Sequence, residues 1–436
     1  MFSDPRCATA ATREGELSSR PLVLFFGSVQ MPEFYDGLLG SDADLGLIRD
    51  TAAIHPLEPA EFALVERTPF DAGAEAVAER IMAVTAGRRL ESVLNIDESL
   101  VQLWAHVCEL LGLPAMSRAA AAAVRSKSEM RRRFASRIGL HASAASMVVA
   151  DEQQAADFAG TTGYPVIIKP GNLWGSYLVT RCTDEEELRL AHRRLSAALP
   201  ALTREKRAGD APMEILVEEL LIGTNHSVEC LVLGDEVWTT PVVDVVTGMD
   251  LGQTDFHHFA RSTATRLSSD ECAAMRALAA DAVRALDMDR GVAHVEFVQS
   301  PTGPRLIEVA GRPGANRGPL LEAAYGIDLM GAYRDVLRGR EPAVTPRRSG
   351  AAALVTPFPD RAGELLAYRG LETIRALPST ALVDLYSHPG DFVTPRSQGA
   401  IAPMAIDLRA DTPGELAADM RQLVCLSSRL FDVSTA

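Results

Sequence analysis

Gly291-Val-Ala-His-Val-Glu-Phe-Val-Gln-Ser-Pro-Thr-Gly-Pro-Arg-Leu-Ile-Glu-Val309 is the stretch that decides the fold. Ser300-Pro301-Thr302-Gly303 is a turn signal between two apolar runs, so the segment reads as an antiparallel hairpin. With the hairpin symmetric about Thr302, Glu296 lies directly opposite Glu308. Val295 and Phe297 then share the other face with Ile307 and Val309. Facing carboxylates repel unless positive charge lies between them. Mg²⁺ is the natural occupant, because it takes one or two carboxylates and completes its shell with substrate phosphates. An exposed hairpin with two solvated glutamates is the alternative reading, and the apolar flanks argue for burial of the whole element.

Upstream, Val166-Ile-Ile-Lys-Pro-Gly-Asn-Leu-Trp-Gly-Ser176 pairs an apolar strand with a glycine-bearing loop. Backbone N–H groups of such a loop can wrap outer phosphates while the Lys169 ammonium meets an inner one. Lysine is rare here: it occurs at Lys127, Lys169 and Lys206 only, among 43 basic Lys and Arg residues. In an arginine-rich chain a surface lysine is easily exchanged, whereas a compact ammonium in a phosphate site is not. A plain hairpin around Lys169 and a surface position for Lys127 remain the alternatives. Glu214-Ile-Leu-Val-Glu-Glu-Leu-Leu-Ile-Gly223 ends an apolar strand in Glu218 and Glu219, where a hinge could offer backbone groups to an adenine edge. In Ser227-Val-Glu-Cys230, Glu229 alternates against apolar neighbours and so points with Ser227 toward the same cleft.

Length and composition bound the rest. A chain of 436 residues exceeds one ordinary core, so several domains are expected. A hydrophobic share of 47% with 23% charged residues is that of a soluble globular protein. The net charge of −15 argues against nucleic acid as a partner. No stretch is apolar for long enough to cross a bilayer, so no membrane role is expected. Six scattered cysteines without CxxC spacing read as cytoplasmic thiols rather than a disulfide or zinc framework. Residues 1–20 read as a loose tail, and 21–116 as a small open α/β domain with alternating strands and helices. Residues 117–345 change to paired strands with helices between, an α+β pattern in which Glu236–Val246 reads as one strand. Arg340 to Pro346 reads as a linker, and 346–436 as a β-rich unit with a final helix.

The order and spacing of these motifs resemble the ATP-grasp superfamily, closest to its amino-acid and dipeptide ligase branch and more distantly biotin carboxylase. The resemblance runs from about Pro21 to Leu329. It implies two α+β subdomains clasping ATP, one of them a lid at about 143–217. It also implies Mg²⁺, with Mn²⁺ as a substitute, and small-molecule carboxylate and amine substrates. A homodimer is an open option. Lys127 and Lys169 match the phosphate-binding lysines, Gly175 and Ser176 the mobile phosphate loop, and Glu218, Glu219 and Leu221 the adenine hinge. Glu296 and Glu308 match the metal carboxylates, and Arg312 the arginine that faces the transferred phosphoryl group. Glu229 is a candidate general base, while His257, His258, His294 and Asn316 are candidate substrate contacts, His294 also backing Glu296. Three positions depart from the family: Ala310 replaces an Asn, Leu178 a Gly, and Asn225 a ribose-binding Glu. The expected reaction is ADP-forming amide synthesis through an acyl-phosphate. A carboxylase activating bicarbonate, or a nucleotide-binding regulator without catalysis, would be alternatives.

Overall fold

The computed structural model describes residues 19–27, 35–52, 60–173, 175–176, 178–205, 213–253, 255–395, 402–427 and 429–434. Nearly all of the expected N-terminal tail, with Cys7, Trp174 and Lys206, lies outside the described residues. Within them, Leu22–Phe26 is a wholly buried run, as expected of a parallel strand covered on both faces. It sits between Asp44–Asp50 and Leu90–Asn95, and Leu64–Thr68 completes a four-stranded parallel sheet. Helices Ala74–Val84 and Val101–Leu111 pack against each other beside it. The second anchors itself by a Trp104 indole N–H donating to the Val93 carbonyl at 2.9 Å.

The decisive hairpin forms between Arg290–Ser300 and Gly303–Ala310. Glu296 pairs with Glu308, but the register is not uniform. Near the turn Phe297 pairs with Leu306, and the ladder shifts between Glu296 and Phe297. Ile307 is the extra residue of a bulge. It therefore does not join Val295, Phe297 and Val309 in the core, as strict symmetry about Thr302 required. It turns to the cavity side, and its carbonyl accepts from Arg131 at 2.7 Å.

The hairpin forms one end of a nine-stranded sheet that runs through Thr224–Leu233, Val243–Thr247 and His258–Ser262. The single strand expected over 236–246 is instead two, Glu236–Thr239 and Val243–Thr247. Pro241 has no N–H to give to a ladder and breaks the run. The segment after residue 345 is not set apart from this sheet. Ala351–Val355 pairs with His258–Ser262 on one side and with Met404–Ala410 on the other. Pairing satisfies the edge of His258–Ser262, which sequence alone did not mark as a strand.

A small four-stranded antiparallel sheet spans Ser146–Val149, Val166–Pro170, Thr180–Cys182 and Ile215–Glu219. Helices Glu152–Thr162 and Glu185–Glu205 cover it and give it an apolar core of its own. By contrast, the N-terminal domain and the large sheet share one core. Helix Leu329–Leu337 joins them: Asn95 N–H donates to the buried Tyr333 hydroxyl, and Arg334 pairs with Glu91 at 2.7 Å and Asp42 at 2.8 Å. No helix among the described residues is long and apolar enough to cross a membrane.

Candidate active site

A cavity of about 740 Å³ opens between the small sheet and the large one. Lys127, Lys169, Gly175, Ser176, Glu218, Glu219, Leu221, Asn225, His257, His258, His294, Glu296, Glu308, Arg312 and Asn316 all line it. The sequence-derived candidates thus converge, with one exception. Glu229 is 1% exposed and does not line the cavity; it lies behind His294, whose Nδ1 it holds at 2.6 Å. A general base must reach the proton it takes. Pairing of Glu229 with His294 across adjacent strands turns its carboxylate away from that task.

Lys127, Arg131 and Lys169 at the cavity are each tied to specific acceptors. Lys169 ends an apolar strand and is buried, with its Nζ paired to Glu218. Arg131 pairs with the other Glu218 oxygen at 2.9 Å. Burial pushes the Lys169 ammonium down to about 8, helped by Arg131 and Lys127 and opposed by Glu218. Burial alone would raise Glu218, yet Arg131 and Lys169 hold it at about 2. Lys127 is the first residue of helix Lys127–Arg137, capped by Ser126. Its Nζ donates to the Leu173 carbonyl at 2.7 Å and to Glu308 at 2.9 Å. The Ser176 hydroxyl donates to the Phe256 carbonyl at 3.4 Å, so the Gly175–Ser176 loop touches the large sheet side of the cavity. At the hinge, a Cβ on Gly223 would come within 2.0 Å of the Gln299 carbonyl oxygen, so only glycine permits that approach.

The two carboxylates of the hairpin face one cavity, but the protein already supplies each with a hydrogen-bonding partner. Glu308 is engaged by Lys127, and Glu296 Oε1 by His294 Nε2 at 3.1 Å. Burial would raise Glu296, but the hydrogen bond with His294 and the charge of Arg317 hold it below the usual carboxylate range. Repulsion between them therefore does not by itself demand an ion, as the sequence argument had it. The fit to Mg²⁺ rests on the donors: two hard carboxylates on paired positions, each engaged through Oε1. Among the described residues no group of three or more His, Cys, Asp or Glu is arranged for a metal. An ion here would complete its shell with phosphate oxygens and water.

Several participants were not singled out from sequence. Arg312 Nε pairs at 3.0 Å with Glu98, a residue of the N-terminal domain that is also held by Arg125 at 2.7 Å. Burial opposes the Glu98 charge, and Arg125, Arg312 and Lys127 together keep it below its ordinary value. Arg317 is buried at the cavity wall, donating from Nε to the Ser227 hydroxyl at 2.9 Å. Asn316 begins the same helix in a left-handed conformation, φ 61°, and among the described residues its buried Oδ1 has no hydrogen-bond partner. Burial pushes His258 down to about 3, so its imidazole is neutral beside Glu296. His257 stands edge-on to Phe358, with ring centroids 5.3 Å apart. The scarcity of lysine was a usable signal for two residues, whereas no local pattern marked Glu98, Arg131 or Arg317.

Residues 162–318 match the ATP-grasp domain. The chain carries an ATP-grasp domain within an ATP-grasp fold. The whole chain is similar in structure to an L-amino acid ligase from Bacillus licheniformis, with a TM-score of 0.77 over 96% of this chain and all of that one, at 16% identity. It is also similar to the biotin carboxylase domain of a Hydrogenobacter thermophilus 2-oxoglutarate carboxylase, solved with MgADP and bicarbonate. There the TM-score is 0.66 and the identity 16%, over 96% of this chain and 91% of that one. In sequence it is 28% identical over 239 residues to the uncharacterized protein y4rH of Sinorhizobium fredii, covering 53% of this chain and 46% of that protein. The chain spans half or less of the length of the curated relatives it matches.

Proposed function

We propose that this protein is an ADP-forming ligase that joins a small carboxylate to an amine through an acyl-phosphate. The observation that carries the reading is the single cavity in which phosphate-binding cations, two facing carboxylates and Arg312 meet. Lys127, Lys169 and the Gly175–Ser176 loop would hold the triphosphate, with Glu218, Glu219 and Leu221 beside the adenine and Asn225 near the ribose. Glu296 and Glu308 would hold Mg²⁺, or Mn²⁺ in its place. The ion supplies charge neutralisation and alignment of the outer phosphates. The substrate carboxylate attacks the γ-phosphorus, and Arg312, held in place by Glu98, stabilises the charge that develops there. Closure of the small subdomain over the cavity excludes water that would hydrolyse the acyl-phosphate. The amine then displaces phosphate, leaving an amide.

His257, Phe358, Asn316 and Arg317 extend the cavity wall beyond the hairpin. That room favours an organic acid and an amino acid over bicarbonate alone. The L-amino acid ligase and biotin carboxylase neighbours leave the substrate pair open, so the direct test is a screen of amino acids and small acids, singly and in pairs, for ADP release. Carboxylate labelled with ¹⁸O must then pass one label to the released phosphate. Unlabelled phosphate alongside amide product would rule out the acyl-phosphate route. Bicarbonate-dependent ADP release with no response to amino acids would favour the carboxylase reading.

A further inference from the structure

Glu229 is the one candidate that the fold withdraws from the cavity, and its contacts give it a different task. One carboxylate oxygen accepts from His294 Nδ1 at 2.6 Å; the other accepts from the Gly314 backbone N–H at 2.8 Å. His294 Nε2 in turn meets Glu296 Oε1 at 3.1 Å. Each ring nitrogen of His294 thus lies against a carboxylate oxygen, Glu229 on one edge and Glu296 on the other. The three side chains lie on two adjacent strands in register, His294 opposite Glu229 and Glu296 opposite Ser227. Both inner members are almost fully buried, at 1% and 5% exposure. Space around them is closed: a Cβ on Gly314 would stand 2.4 Å from His294 Nδ1 and 2.7 Å from Glu229 Oε1. Gly314 also lies in the short loop between Arg312 and Arg317, two cavity-lining arginines.

We propose that Glu229, His294 and Gly314 form a buried relay that fixes the orientation of Glu296 and locks it to the loop bearing Arg312. The inference rests on the ligase reading above. Glu229 and His294 are positioning residues in it: neither is asked to move a proton. The relay engages Glu296 through one oxygen and leaves the other for a cation. It also couples the two halves of the phosphoryl site, because any shift of the Arg312 loop pulls on Glu229 and hence on His294. Such partners of a metal-binding group typically change metal affinity by about 10–100-fold when removed.

The test is Mn²⁺ binding, followed by electron paramagnetic resonance, to the whole protein saturated with a non-hydrolysable ATP analogue. His294→Ala and Glu229→Ala should each weaken Mn²⁺ by about 10–100-fold. Affinity for the analogue measured in EDTA should stay within a few-fold. Glu229→Gln keeps the shape, still accepts from Gly314 and still bonds the imidazole, so it should recover most of the Mn²⁺ affinity. His294→Gln, which keeps one donor to Glu296, takes the place of His294→Ala if the alanine variant loses its native circular dichroism. In steady state the KM for Mg²⁺ should rise in Glu229→Ala more than the KM for ATP at saturating metal. Unchanged Mn²⁺ affinity in folded His294 variants overturns the relay while leaving the ligase reading intact, as does a Glu229→Gln loss equal to that of Glu229→Ala. A wild-type protein that binds neither analogue nor Mn²⁺ overturns both.

Discussion

The small subdomain and the body face each other across one cavity but are built to different rules. The body's apolar core runs without a break from the N-terminal sheet to the strands that carry Glu296 and Glu308. The small subdomain has a separate core under its own helices. The bonds that cross between them include Lys127 to the Leu173 carbonyl, Arg125 to the Asn172 carbonyl, Arg131 to Glu218, and Ser176 to the Phe256 carbonyl, all of them polar. Polar contacts can be exchanged for water when a boundary opens, whereas a shared apolar core cannot be divided cheaply. The difference teaches how the work divides. On the proposed function, the groups that must stay in register for phosphoryl transfer sit on the continuous body, and those that grip the outer phosphates sit on the piece with its own core.

The comparison is most exposed to test at Arg312, on the body side. If Arg312 meets charge that grows during transfer, Arg312→Ala should lower kcat by about two to three orders of magnitude, roughly 3–4 kcal/mol, with little change in ATP affinity. Steady-state kinetics beside equilibrium nucleotide binding will show this. Equal losses in binding and turnover would assign Arg312 to nucleotide binding and blur the division.

Lys169, on the moving side, should behave the other way. Lys169→Ala removes a charge-assisted contact of roughly 1.5–3 kcal/mol, and the loss should appear mainly in ATP affinity. Lys169→Arg should recover little, because a flat guanidinium does not fit a point-charge site already crowded by Glu218 and Arg131. Wild-type kinetics in the arginine variant would remove the argument from lysine scarcity.

A smaller effect follows from the depressed Lys169 ammonium. Below about pH 8 the free protein carries this charge; above it, the charge is lost while Glu218 stays ionised. Bound triphosphate favours the protonated form, so ATP affinity should fall as pH rises through about 8, by at most tenfold per pH unit. Binding measured from pH 7 to 9.5 should show this slope in the wild type and lose it in Lys169→Met. A slope that survives the substitution would point to another group.

What could be read from the sequence followed from how far apart the interacting residues are. The hairpin was legible because its turn and both strands lie within twenty residues, and Glu296 does oppose Glu308. The bulge at Ile307 was not, since the same residues fit a uniform ladder equally well. Lys127 and Lys169 stood out against an arginine background, and both line the cavity. Glu98 reaches Arg312 across more than two hundred residues, and nothing local to either marks the pairing. The strand His258–Ser262 is short and carries His, Arg and Ser, so it shows no clear alternation; its partner Ala351–Val355 comes from a segment read as a separate unit. Glu229 was placed on the right face by alternation, but register with His294 decided what it does there.

The smallest effect concerns Leu178, in the loop proposed to hold the outer phosphates, at a position where the family resemblance led to an expected glycine. Its φ is 54°, and Gly175 and Ser176 before it also adopt positive φ. A left-handed conformation costs a residue with a Cβ about 1–2 kcal/mol, and glycine almost nothing. Leu178 is partly exposed, so little packing compensates. Leu178→Gly should therefore relieve strain in the loop without disturbing the body. Because the unfolded chain also gains freedom with glycine, the two effects largely offset, and melting temperature should move by no more than a degree or two. ATP affinity and kcat should stay within about threefold of wild type. The outcome sharpens the comparison between the two regions. If the moving piece tolerates this change while Gly314→Ala in the body does not, the rigid register lies where the shared core puts it. A tenfold loss of activity in Leu178→Gly would mean instead that the leucine side chain itself closes the loop, and that the small subdomain is held more tightly than its polar boundary implies.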